Sequence, residues 1–189
     1  MAHTRLWTGV LLRLADFHRH MLGVYFVLLG PGAAYALSGW LARRLYRLLV
    51  PLRLRSEAQC RAALGATIAP ADVPRIAEQA FIHRVWNVTD LLLADRLLHR
   101  GTHERHGGRI PEPWRTELLD AQARQQPAIL LTAYYGPFDL LPVLLGFNGV
   151  RAATVYLPHA NAAFDAYRRR IRARSGCELV PAERALARL

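Results

Sequence analysis

The sequence contains no lysine, so its 25 basic residues are all arginine, set against 14 acids for a formal charge of +11 over 189 residues. GC-rich coding accounts for the arginine bias, but the charge still acts. Arginine presents a planar fork of donors to phosphate and stays ionised in partly buried sites. Anionic partners are therefore favoured. Cysteine is scarce, and Cys60 and Cys177 stand far apart in no metal-like spacing, which excludes a disulfide framework and a zinc site. No internal repeat, low-complexity tract, nucleotide loop or metal motif occurs, so neither a metal nor another bound cofactor is expected. Helix-turn-helix, zinc-finger and aromatic-sheet signatures are also missing, which leaves charge as the sole argument for nucleic acid, and no nucleic-acid partner is expected.

What is present begins with apolar residues, 52% of the chain, enough to exclude a disordered polymer. The length suits one ordinary domain with a membrane segment. From Met21 to Ala42 no residue is charged, and such a run meets the roughly 20 residues needed to cross a bilayer. Gly30-Pro31-Gly32 interrupts it, so a kinked or re-entrant segment competes with a straight span. Arg13 and Arg19 precede the run; Arg43, Arg44, Arg47, Arg53 and Arg55 follow it. Basic residues on both sides do not fix the orientation sharply, and the heavier cluster favours a cytoplasmic globular part. Between Leu41 and Leu54 arginine and leucine interleave at helical spacing, as in a helix lying on anionic lipid. A signal peptide cleaved near Ala34-Tyr35-Ala36 is the rival reading.

Beyond this anchoring segment, taken as residues 1–55, residues 56–189 predict an α/β domain. Ala71-Asp72-Val73-Pro74 is a helix start, and the apolar stripe Ile76, Ala80, Phe81, Val85, Val88, Leu91, Leu92 and Leu97 predicts a helix ending near Gly101. Residues 100–113 read as a loop and 114–125 as a helix. Ala128 to Ala133 is a short continuous apolar run, closed by Tyr134-Tyr135-Gly136-Pro137, which suits a buried parallel strand. Helix, strand, helix and strand follow over 138–145, 152–157, 161–175 and 177–180, with Pro181 opening another helix. The alternation predicts a parallel sheet flanked by helices, preceded by a membrane helix and a helical block. Three strands are too few to close such a sheet, so a missing C-terminal half is expected.

The segment Thr132-Ala133-Tyr134-Tyr135-Gly136-Pro137-Phe138-Asp139 falls at a predicted strand end, where open α/β sheets bind ligands. It resembles the first motif of the late acyltransferases of lipid A biosynthesis, Thr-Gly-His-Phe-Gly-Asn-Trp-Glu, which holds a His-x4-acid dyad. Gly136 stands at the family glycine, Tyr135 and Phe138 at its aromatics, and Asp139 at its acid. Tyr156-Leu157-Pro158-His159-Ala160-Asn161 resembles the family's Tyr-Arg-Pro-x-x-Asn, and Arg172-Ala173-Arg174-Ser175-Gly176 its Arg-x-Arg-x-Gly. The resemblance implies an O-acyltransferase of the bacterial inner membrane that moves a fatty acyl group from an acyl carrier protein or acyl-CoA thioester to a hydroxyl of a glycolipid or lysophospholipid. It also implies catalytic positions at Asp139 and Tyr134, and substrate contacts from Gly136, Asn161, Arg172 and Arg174.

Two departures stand out. Tyr134 occupies the position of the family's general-base histidine, and with an unperturbed pKa near 10 it is a poor base at neutral pH. Leu157 replaces the family arginine. His159, at another predicted strand end, is the substitute base to consider. A rival function follows, that of an inactive homologue which binds lipid or a partner at the membrane. The same residues also have plain structural roles: Asp139 as a helix-start acid, Tyr134 as packing, Asn161 as a helix cap, and Arg168, Arg169, Arg170, Arg172 and Arg174 as a solvated face rather than a phosphate clamp. A second His-x4-acid spacing, His99 to Glu104, straddles a predicted helix end and loop, and reads as coincidence.

Overall fold

The computed structural model describes residue 18 and residues 20–132, 136–159 and 161–185. Helices dominate it: α1 (residues 20–29), α2 (Pro31–Leu48), α3 (Val50–Leu64), α4 (Val73–Leu97), α5 (His103–His106), α6 (Trp114–Ala123), α7 (Leu141–Phe147), α8 (Ala162–Ala173) and α9 (Ala182–Ala185). Two four-residue strands, β1 (Ala153–Tyr156) and β2 (Glu178–Pro181), pair in parallel with Ala153 opposite Glu178 and Tyr156 opposite Pro181. The chain divides into two compact units, one formed by Leu28–Asp90 and one by Leu91–Leu189 with residues up to Val27.

In the Leu28–Asp90 unit, Gly30 takes φ 84° and ends α1, and Pro31 opens α2 at its first turn, where a missing N–H costs nothing. One stripe of α2 is small and buried: Ala34, Ser38, Gly39 and Ala42, with Tyr46 at its end. That stripe packs on the first part of α4. The Trp86 indole donates to the Tyr35 carbonyl at 3.1 Å, the Tyr46 and Phe81 rings lie 5.8 Å apart, and Arg47 reaches Glu78 at 3.3 Å. Partners that descend along α4 as α2 ascends make the two helices antiparallel. Small residues permit the close approach, since a Cβ on Gly39 would lie 3.1 Å from the Trp86 Nε1. At the far end of the contact the Tyr35 hydroxyl donates to Asp90. On α3, Glu57 is buried between Arg53 and Arg61, each one helical turn away.

In the other unit the core gathers Phe26, Leu91, Leu92, Ala94, Leu98, Leu140, Val143, Leu145, Val150, Tyr167, Ile171, Cys177 and Val180. The crossover between the two strands is α8, as parallel pairing requires. It turns Tyr167 and Ile171 inward, packs on β2 and α7, and donates the Tyr167 hydroxyl to the Leu91 carbonyl at 3.1 Å.

The expected fold class is corrected on two points. First, the described residues form a mostly helical protein with a two-stranded sheet, not a parallel α/β sheet flanked by helices. Residues 128–132 carry the apolar run of a buried strand but join no sheet among the described residues, and Ile129 and Leu131 are 84% and 93% exposed. Apolar periodicity marks a segment that gains from burial, and it does not supply the neighbouring edge that a strand needs. Second, no helix among the described residues is long and apolar enough to cross a membrane. The uncharged run is cut at Gly30, which leaves ten described residues of α1, about 15 Å at 1.5 Å per residue. The second piece continues as α2 into Arg43, Arg44 and Arg47.

Candidate functional site

Gly136, at φ 61°, opens the turn that leads into a short 3-10 helix, Phe138–Leu140, and on into α7. Pro137, at φ −80° and ψ 54°, closes an inverse γ-turn in which the Gly136 carbonyl accepts from the Phe138 N–H at 2.9 Å. Asp139 thereby enters the interior, where it is buried. Facing it on α8 are Arg168 and Arg172, one turn apart and so on the same side of the helix. Both guanidinium groups donate to the same oxygen, Asp139 Oδ1, Arg168 from 2.6 Å. Arg172 is 7% exposed, unusual for an arginine and tolerable only with a partner. The Nε atoms of Arg168 and Arg172 are buried with no acceptor among the described residues, where one carboxylate carries two cations.

The remaining arginines of α8 are also engaged. Arg170 reaches Asp95 Oδ2 at 3.0 Å and lies over the Tyr167 ring, and Arg174 donates to the Asp95 carbonyl at 2.6 Å and to Asp95 Oδ1 at 3.1 Å. Arg169 lies 4.0 Å from Asp165. Arginines near a helix C-terminus also complement its dipole. These ion pairs fasten α8 to the end of α4 and to the turn at Asp139, while the Arg169 and Arg170 side chains stay 55% and 62% exposed.

Asn161 caps α8, its side-chain oxygen accepting from the Phe164 N–H at 3.0 Å. The His159 ring packs edge-on against Phe164 with centroids 5.0 Å apart; its Nδ1 accepts from the Asn161 N–H at 3.0 Å, and the His159 N–H donates to Asp165 at 2.8 Å. With Nδ1 accepting, the neutral imidazole carries its proton on Nε2. No hydrogen bond or ion pair among the described residues joins His159 to Asp139. Tyr134, predicted at the general-base position, lies outside the described residues.

The fold thus brings Asp139 and Arg172 together, adds Arg168, sends Arg174 to a different acid, and uses Asn161 and His159 to shape the start of α8. Arg168 was legible from its four-residue spacing to Arg172; Asp95, 75 residues from Arg170, announced itself by no signal. His99 and Glu104 form no pair: Glu104 faces Arg109 at 4.0 Å, and the His99 N–H meets the Thr102 hydroxyl at 3.3 Å. Nearby, His103, Glu104, Arg115, Phe147, Asn148 and Gly149 line an open cleft of about 230 Å³. The chain matches no known family model, no curated protein and no solved structure.

Proposed function

We propose that this chain is a catalytically inactive homologue of the lipid A late acyltransferases that binds lipid at the surface of the bacterial inner membrane. The motif resemblance supports the family, the arginine excess supports an anionic lipid partner, and one observation favours binding over chemistry. Asp139, the acid that should orient a catalytic imidazole, has one oxygen committed to two guanidinium groups. A carboxylate held this way fastens α8 and has no histidine to steer. Tyrosine at position 134 removes the base itself, at a typical cost of about a hundred- to ten-thousand-fold in rate.

The test is an acyl-transfer assay of the native chain, Tyr134→His and Asp139→Asn, with an acyl carrier thioester as donor and lipid A-type and lysophospholipid acceptors. No turnover by the native protein, with transfer gained by Tyr134→His, is the expected result. Turnover by the native protein that Asp139→Asn abolishes, while the circular dichroism spectrum stays native, overturns the proposal in favour of an active transferase.

A further inference from the structure

Helix α2 carries two apolar stripes, and one of them packs inside its unit. Ala34, Ser38, Gly39 and Ala42 pack on α4, whereas Leu37, Leu41, Leu45 and Leu48 follow one another at three- and four-residue steps on the flank about 100° round the helix and are exposed, Leu48 to 75%. Trp40 joins this outer face at 54% exposure, with the Arg44 guanidinium 5.6 Å from its ring centre. Beyond the break at Leu49, Val50 and Leu54 at the start of α3 are also exposed, Leu54 standing between Arg53 and Arg55 in sequence. A contiguous apolar surface bordered by cations marks an interaction site rather than ordinary surface scatter.

We infer that this outer face of α2 and the start of α3 is an in-plane docking surface for an anionic phospholipid bilayer. Charge selects the occupant: between Leu28 and Leu64 there are six arginines and one acid, and that acid, Glu57, is buried against Arg53 and Arg61. The outer surface is therefore cationic and apolar together. A second copy of the chain would bring the same uncompensated arginines against themselves, which disfavours self-association. A bilayer supplies both the phosphates that arginine forks recognise and the acyl boundary that leucine and tryptophan enter. The indole–guanidinium stack fits the headgroup level, where tryptophan presents an apolar body and a polar edge. Among the described residues no helix is long and apolar enough to cross a membrane, and α2 carries Arg43, Arg44 and Arg47 in its last two turns, so it lies in the interface. The inference deepens the lipid-surface reading above and rests on it.

The experiment is flotation of the full chain with vesicles of phosphatidylcholine alone and of phosphatidylcholine with phosphatidylglycerol in equal parts. Four proteins are compared: native, Leu41→Glu/Leu48→Glu, Arg43→Gln/Arg44→Gln/Arg55→Gln, and Trp40→Phe. All of these positions are exposed, and native circular dichroism is required of each. The native chain is expected on the anionic vesicles and not on the neutral ones. Each multiple variant should lose about tenfold or more in partitioning, since each basic residue near an anionic surface contributes about fivefold. Trp40→Phe should still bind but lose the blue-shifted fluorescence that the native chain gains on vesicles. Native binding that survives Leu41→Glu/Leu48→Glu overturns this face while leaving the lipid-surface reading in place. Failure of the native chain to bind any vesicle overturns both. A dimer in light scattering that Leu41→Glu/Leu48→Glu abolishes assigns the face to a second copy and overturns the inference.

Discussion

Arg172 on α8 donates to Asp139 from 33 residues away, and both side chains are buried. Removing one member of such a pair is worse than never having built it, because the other stays buried and uncompensated. Asp139→Ala strands two guanidinium groups and should cost about 3 kcal/mol in urea-melt stability. Asp139→Asn keeps an acceptor oxygen and should lose less. Equal stability of native and Asp139→Ala would show that the ion pairs fasten nothing.

Asn161 belongs to the same helix, where it is a cap before it is anything else. Its side-chain oxygen satisfies the Phe164 N–H. Asn161→Ala should cost about 1 kcal/mol, and Asn161→Asp should restore it, since either oxygen accepts that bond. Hydrogen exchange provides the local readout: amides in the first turn of α8 should lose protection in Asn161→Ala while those of α4 keep theirs. Unchanged protection throughout α8 would refute the capping role.

These positions also show what could be read from the chain without its fold. The start of α4 was legible at Ala71-Asp72-Val73-Pro74, because an acid before a proline at the first turn is a local signal, and α4 begins at Val73. So were β1, α8 and β2, whose periods change within a few residues of one another. The partner of Arg172 was not legible: helical spacing puts Arg168 and Arg172 on one face, but whether that face meets a phosphate, water or Asp139 is a tertiary fact. Ile129 and Leu131 misled for the opposite reason, as a strand-like run that is exposed and joins no sheet among the described residues. In the uncharged run at 21–42 the break at Gly30 and Pro31 was legible, and it is this local break that outweighs the composition of a straight span.

Tyr46 is buried, its ring tilted against Phe81, and its hydroxyl has no hydrogen-bond partner among the described residues. Burial, followed by the nearby charges of Glu57 and Glu78, pushes its ionisation above the ordinary tyrosine value. An unsatisfied buried hydroxyl costs desolvation and returns nothing, so Tyr46→Phe should keep the ring packing and gain about 1 kcal/mol. The check is a thermal melt: a clear fall in melting temperature would mean that the hydroxyl does hold a partner.

Asp90 makes the fold sensitive to pH in a direction set by burial. Its carboxyl is raised above the ordinary range, first by burial, with the Tyr35 hydroxyl pulling it partway back. The folded chain therefore holds the Asp90 proton more tightly than the unfolded chain does. Between the unfolded value near 3.9 and the raised folded value, the folded state binds more protons, so this group's contribution to stability falls as pH rises through that window and stays low above it. Asp90→Asn cannot titrate, and the native-minus-variant stability difference should decline with pH from about 4 upward and then level off. Tyr35→Phe, which removes the donor that favours the carboxylate, should deepen the decline and carry it to higher pH. Urea melts across that range measure all three proteins. A native-minus-variant difference that stays flat, or that rises with pH, would mean that Asp90 is solvated and that its burial beside Tyr35 does not govern its charge.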